Sequence, residues 1–290
     1  MRYAFIRRHA SKYPVALACR VLGVSRSGFH ASLVRPESER ARADRALCAL
    51  IADVHAASRR TYGALRVRAE IRAQGVRVGL RRVSRLMRLA GLRGAVLARK
   101  ARRPRTAREA PDLVRRRFSA EQPDRVWCAD ITQIWTREGW LYLAAVLDLH
   151  SRRIVGHAGG RSPNTALVEH ALDVALRRRR PGRGLIHHSD WGAAYVSGPY
   201  LARLQRAGAA RSHSRPGTPL DNAVIESFFS TLERELLYGR RFATRAEARL
   251  AVVDYIETFY NPRRRHSSLG YISPAAFEAS TYSQGVSTKA

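Results

Sequence analysis

Lysine and acidic side chains are both scarce in this chain, and the acidic shortage is uneven. Of 53 Lys and Arg residues, only Lys12, Lys100 and Lys289 are lysine. Residues 1–120 hold 30 basic and 7 acidic side chains, a net of +23; residues 121–290 hold 23 and 16, a net of +7. Cysteine is nearly absent. Cys19, Cys48 and Cys128 are odd in number, far apart and lack any CxxC spacing. This argues against a disulfide framework and a zinc knuckle and leaves small buried hydrophobes. No run of about 18 apolar residues occurs, which argues against a membrane-spanning helix. The basic start, MRYAFIRRHASKYP, is not followed by the apolar segment of a secretory signal, so a cytoplasmic, nucleoid-associated location is expected. At 45% hydrophobic residues the composition is not that of a disordered chain. The 290 residues suit one catalytic domain and a smaller module.

Arginine is what the chain has in excess. Its planar fork suits phosphate, although a GC-rich coding sequence produces the same bias. A net charge of +30 predicts salt-sensitive nucleic-acid binding, concentrated in the N-terminal part. Charge alone does not separate a nuclease from a repressor or a ribosomal protein.

Residues 14–31, PVALACRVLGVSRSGFHA, read as two short helices around Gly23, with Ser25 capping the second and Ser25, Arg26 and Ser27 facing outwards. This is the layout of a helix-turn-helix, which presents the start of its second helix to DNA. A further helix is expected over 44–56. Residues 61–92 repeat the helix–Gly–helix theme, with Ile71, Val83, Leu86, Met87 and Leu89 as the apolar stripe. Arg81, Arg82 and Arg85 on the wet side are candidate phosphate contacts. Residues 98–117, with two prolines and little apolar content, read as a basic linker. The expected organisation is a helix-turn-helix-like segment (1–43), a second helical DNA-binding module (44–97), a basic linker (98–120), a catalytic core with C-terminal helix and tail (121–280) and a flexible end (281–290).

From residue 121 the pattern changes. VWCADITQIWT, LYLAAVLDLHS and RRIVGHAGG read as a three-stranded antiparallel meander, the second strand buried on both faces. A helix opening at Ser162–Pro163, a short strand GLIHHS, the helix GPYLARLQRAGA and a fifth strand ARSHS follow. Asp221–Asn222 can cap a helix of about fifteen residues, and RAEARLAVVDYIETFYN is a last long helix. The order β-β-β-α-β-α-β-α-α is that of a layered α/β domain.

Three carboxylates stand out within it. Asp130 lies mid-strand on the face of Val126, Cys128 and Ile134, where an uncompensated charge is costly. Asp190 follows the carboxyl end of the fourth strand, a common ligand position that a simple turn aspartate would also occupy. Glu226 points off the apolar side of its helix, near Ser230 and Glu233, as many solvated glutamates do. Thirty-five residues separate Asp190 from Glu226.

This D…D–35–E spacing, with WCADITQIW, HHSDWGAAY, DNAVIESFFSTLERE and YIETFYNPRRRHSSLGYISPAAFE around it, resembles the integrase core of the insertion-sequence-three family of transposases and of retroviral integrases. The likeness extends across essentially the whole chain, YGALRV…VSRLMRLAGL included. It implies a ribonuclease-H-like α/β fold preceded by an all-α helix-turn-helix region. It implies catalytic Asp130, Asp190 and Glu226 holding two Mg²⁺ ions, with Mn²⁺ able to substitute, for DNA strand cleavage and strand transfer. Implied partners are the terminal inverted repeats, target DNA, further copies of the chain and an upstream-frame helix-turn-helix and coiled-coil product; no sustained heptad repeat is present in this chain. A catalytically inactive DNA-binding regulator on the same scaffold and a structure-specific nuclease are the alternatives.

In one respect the chain departs from the pattern. Relatives place a basic residue seven positions after the catalytic glutamate, whereas this chain has Glu233. Arg234 is basic, but one further residue of an α-helix turns it about 100° off that face; either it substitutes by reaching round, as a candidate DNA contact, or DNA contact is weaker there. In the tail, Asn261, Arg264, His266, Ser267 and Gly270 match the family, and Arg264 is a candidate DNA contact. Docking of the segment after a helix end is its alternative role.

Overall fold

The computed structural model describes residues 2–34, 37–95, 120–213 and 222–287. The expected linker and the loop with Asp221 lie outside these residues. Among the described residues no helix is long and apolar enough to cross a membrane.

Three short helices come first: α1 (Arg2–His9), α2 (Val15–Val21) and α3 (Arg26–Val34). They close on a small cluster of Ile6, Cys19 and Phe29. The turn between α2 and α3 uses Gly23 at φ +60°, a conformation cheap for glycine. The Ser25 hydroxyl accepts from the Gly28 amide at 2.9 Å, starting α3 as expected. Helix α1 is not foreshadowed in the sequence reading, because only Ile6 of its eight residues is buried.

Helix α4 (Glu39–Ala57) begins earlier than expected, because Ser38 caps it by accepting from the Ala41 amide. Helices α5 (Ala64–Ala73) and α6 (Leu80–Leu89) form the second helix–Gly–helix unit. Val67, Ile71, Val83, Leu86 and Met87 pack with Leu47, Ile51 and Val54 of α4. That cluster continues through Tyr62 and Phe259 into the following domain, so these helices are seated on it.

The remainder is a five-stranded sheet of order β3-β2-β1-β4-β5. Strands β1 (Val126–Thr136), β2 (Gly139–Asp148) and β3 (Ile154–Gly160) are antiparallel, and β4 (Ile186–Ser189) and β5 (Ala210–His213) run parallel to β1. Alternation along β1 sends Cys128 and Ile134 to one face and Trp127 and Ala129 to the other. Helices α7 (Thr165–Arg179) and α8 (Gly198–Arg206) cover the second face. Helix α7 lies close because Gly156 has no Cβ, which would stand 2.2 Å from the Ala171 carbonyl. It starts later than the sequence suggested. Asn164 caps it, accepting from the Leu167 amide at 3.1 Å, and leaves Pro163 outside.

Helices α9 (Ala223–Leu232) and α10 (Arg245–Asp254) cover the first face. Each runs on into a wider π-turn segment, Glu233–Leu237 and Tyr255–Tyr260. An unforeseen helix, α11 (Pro274–Ser287), occupies part of the segment expected to be a flexible end. It is tied down by Glu278, which bonds Arg153, Arg179 and Ser151.

Candidate active site

Strand register carries two of the three carboxylates towards each other. The parallel pairs of β1 and β4 are Val126↔Ile186, Trp127↔His187 and Cys128↔His188. Asp190 lies one residue past the end of β4, where the same offset points it towards Asp130, and its charge is felt there. The third arrives on α9. Asn222, just before that helix, donates from Nδ2 to the Ala129 carbonyl at 3.2 Å, pinning the helix start to β1 beside Asp130. Glu226 follows one helical turn later.

Each aspartate is oriented by an amide. The Ile131 N–H donates to Asp130 Oδ1 at 2.8 Å, and the Gly192 N–H donates to Asp190 Oδ1 at 2.9 Å. A Cβ on residue 192 would stand 2.9 Å from the same oxygen, so a larger residue there would shift the Asp190 carboxylate. Burial pushes the Asp130 carboxyl up to about 7; the Ile131 amide opposes this, and the charges of Asp190 and Glu226 add to it. Asp130 therefore feels both of the other carboxylates. Asp190 itself is exposed. Among the described residues, no three His, Cys, Asp or Glu side chains are gathered tightly enough to close on an ion. The donor set is nevertheless of the kind a hard divalent cation takes, all carboxylate oxygen, and Asp130 is a half-buried anion that a cation would relieve.

A cavity of about 1100 Å³ opens along β1 and α9, with Asp130, Glu226, Ser230, Glu233 and Arg234 in its wall. Here the simple helical wheel fails. The helix widens into its π-turn at Glu233, and Arg234, expected to turn away, lines the cavity with Glu233. The Arg234 guanidinium is braced by the Ser230 carbonyl at 3.1 Å and the Thr231 hydroxyl at 3.2 Å.

The histidines before Asp190 turn away from this chemistry. His187 bonds the Tyr200 hydroxyl at 3.0 Å and His188 the Ser212 hydroxyl at 2.9 Å, both buried. Burial, with His188 and His213 adding to it, lowers His187 to about 3, so it is neutral. Tyr195, also buried, lies close enough to Asp130 and Asp190 to feel their charges. Its place in HHSDWGAAY gave no chemical signal beforehand, and neither did Gly192; Asn222, expected as a helix cap, makes no side-chain cap bond and reaches β1 instead.

The candidate DNA contacts separate. Arg26 is exposed at the start of α3. Arg81, Arg82 and Arg85 line a shallow depression with Arg40. Asp44 holds Arg82 at 2.7 Å and pairs with Arg85, leaving side chains 41% and 38% exposed. Arg264 is a correction. Its side chain is 2% exposed and clasps Glu235 through Nε at 2.8 Å and Nη2 at 2.7 Å, so no face remains for phosphate. Tyr255 and Arg66 meet the same carboxylate. The rest of that tail motif is also structural: Asn261 brackets Ile154, accepting from its amide and donating to its carbonyl, both at 2.9 Å, and Arg265 pairs with Glu70 of α5.

The family model described as integrase core domain matches residues 120–219, a second integrase core model matches 207–274, and an HTH-like domain model matches 41–102. The insertion element IS600 uncharacterized 31 kDa protein of Shigella sonnei is 42% identical over 263 residues, covering 89% of this chain and 96% of that protein. Transposase InsF for insertion sequence IS3A of Escherichia coli (strain K12) is 37% identical over 283 residues, covering 96% and 98%. The transposase for insertion sequence element IS904 of Lactococcus lactis subsp. lactis (strain IL1403) is 41% identical over 220 residues, covering 75% and 87%.

Proposed function

Given that this chain belongs to the IS3 family of integrase-core DNA transposases, we propose that Asp130, Asp190 and Glu226 are its catalytic carboxylates and that they act on the ends of its own insertion sequence. The observation that supports this reading is the parallel register of β1 and β4, which runs towards Asp130 and Asp190, together with the Asn222 link that ties the start of the Glu226 helix to β1.

The three carboxylates would hold two divalent ions, Mg²⁺ or in its place Mn²⁺, which when bound offset charge on the attacking and leaving oxygens of a phosphodiester. The protein's own part is positioning. The Ile131 and Gly192 amides fix one oxygen of each aspartate, and the anchored α9 fixes the direction from which Glu226 approaches. Arg234, braced on its own helix, places a guanidinium in the cavity wall for a phosphate. In the first reaction water attacks phosphorus and the P–O3′ bond breaks, freeing a 3′-OH. In the second that 3′-OH attacks another phosphodiester, whose 3′ oxygen leaves. One site serves both because only the attacking oxygen changes. Arg26, Arg81, Arg82 and Arg85 would grip the DNA backbone away from the cut. Further copies of the chain and an upstream-frame product carrying a dimerisation element would complete the assembly.

The test is cleavage and joining of a labelled duplex carrying the element's end, with Mg²⁺, by the wild type and by Asp190→Asn. Both activities should fall at least about 10³-fold in the variant while DNA binding persists. A wild type that binds this DNA but neither cuts nor joins it, even with the upstream product added, would reduce the protein to a DNA-binding regulator.

A further inference from the structure

The cavity that holds Asp130 and Glu226 ends, at the tip of the β1–β2 hairpin, in a group of exposed aromatic rings. Trp135 and Trp140 are cross-strand partners, with ring centroids 5.0 Å apart and planes at 73°. They are 60% and 40% exposed, and Tyr238 across the same cavity is 70% exposed. Indoles gain most by leaving water, so two on one hairpin tip are unusual without an occupant. The charges beside them indicate its sign. Arg137, Arg240 and Arg241 line the same cavity; among the described residues none of the three is in a carboxylate ion pair, although Asp254 feels the charge of Arg240.

Aromatic faces beside unpaired arginines suit nucleic-acid bases. Within a duplex, however, each base is covered above and below by its neighbours, and only an unpaired base offers a face to stack on. We propose that Trp135 and Trp140, with Tyr238 opposite, hold an unpaired base of the DNA bound in this cleft, while Arg137, Arg240 and Arg241 take the phosphates flanking it. The inference rests on the reading of the cleft as the cutting site, and it adds that the duplex is opened near the cut. It also gives a position. Trp135 lies five positions along β1 from Asp130, roughly 17 Å of strand, which spans about five base steps along one DNA strand.

The test reads binding, in Ca²⁺ or without metal, so it does not depend on cutting. Duplexes of the element's end, each with one mismatched pair at a successive distance from the cleaved phosphate, are titrated with wild type and with Trp135→Ala/Trp140→Ala. Wild type should prefer the duplex unpaired about five steps from the cut by about tenfold over the fully paired one, and the double variant should lose that preference. In parallel, 5-iodouracil placed at each position should photocrosslink to Trp135 or Trp140 most strongly at that same distance. Equal affinity for paired and unpaired duplexes, or crosslinks to these indoles at no position, would overturn the proposal. So would a double variant that keeps the preference but loses self-association in sedimentation, since the indoles would then cover a second copy. If instead wild type shows the preference and the crosslink yet cuts nothing, the stacking site stands and the catalytic reading fails.

Discussion

Arginine does different work in the two halves of this chain, and the supply of carboxylates decides which. In the N-terminal helices acids are few, so Asp44 is shared by Arg82 and Arg85, and both keep more than a third of their side-chain surface in water. In the catalytic half two arginines find carboxylate partners and sink. Arg179 spans Asp124 and Glu278 at 12% exposure, and Arg264 clasps Glu235 at 2%. The same residue type is therefore a half-exposed surface group around Asp44 and an internal cross-link at Arg179 and Arg264, while Arg137, Arg234, Arg240 and Arg241 stay in the cavity wall. A charge count over the sequence shows the surplus but not this division of labour.

Breaking the internal cross-link should have the largest effect on folding. Glu235→Ala leaves the Arg264 guanidinium buried without its carboxylate, and unfolding free energy should fall by about 3–5 kcal/mol. Denaturant titration checks this. Replacing both partners by apolar residues, Glu235→Leu with Arg264→Met, should cost markedly less than the single change. Equal losses would mean that the pair is not what holds the tail to the helix that follows Glu226.

A smaller effect, opposite in sign, is expected at Asp130. Its carboxyl is pushed up to about 7 in the fold, first by burial and further by Asp190 and Glu226, against an ordinary value of 3.8. The fold thus prefers it protonated, and the wild type loses stability as pH climbs from about 4 to 7. Asp130→Asn cannot ionise, so at pH 8 without divalent metal it should be more stable than wild type by about 1–3 kcal/mol. The gain should vanish near pH 4, and Mg²⁺ should narrow it by stabilising only the wild type. Thermal melts at the two pH values decide it.

The smallest effect belongs to the surface arginines. Arg40→Ala with Arg81→Ala should weaken DNA binding several-fold at moderate salt and flatten the dependence of log affinity on log salt by up to about 2. An Arg264 substitution that still folds, such as the apolar pair above, should leave that slope unchanged. If the two behaved alike, the distinction between gripping and cross-linking arginines would be lost.

Much of this molecule was legible in residue order because period and burial act locally. The all-apolar run of β2, the alternation that separates Cys128 from Trp127, and the Ser25 cap all came out in the fold as their neighbours dictate. The positions of the three carboxylates could be named from motif and spacing. Their surroundings could not, because the parts that set them up act across the fold. Asn222 reaches β1 from 93 positions away. Arg264 was misjudged, and which way Arg234 turns was left open, for related reasons. A burial partner such as Glu235 is invisible in a basic run, and a π-turn alters the phase on which a helical wheel depends. Helix α11 escaped notice because Glu278, its buried anchor, looks in sequence like any surface glutamate.

The convergence of Asp130, Asp190 and Glu226 on a shared site for two divalent ions is the central claim, and metal binding tests it without DNA. Mn²⁺ would be titrated into the wild type and into Asp130→Asn, Asp190→Asn and Glu226→Gln, with free ion followed by electron paramagnetic resonance. The account predicts binding by the wild type and a clear loss of affinity in all three variants, each of which still folds. Undiminished Mn²⁺ binding by Glu226→Gln or by Asp190→Asn would contradict it, because that carboxylate would then stand outside the site.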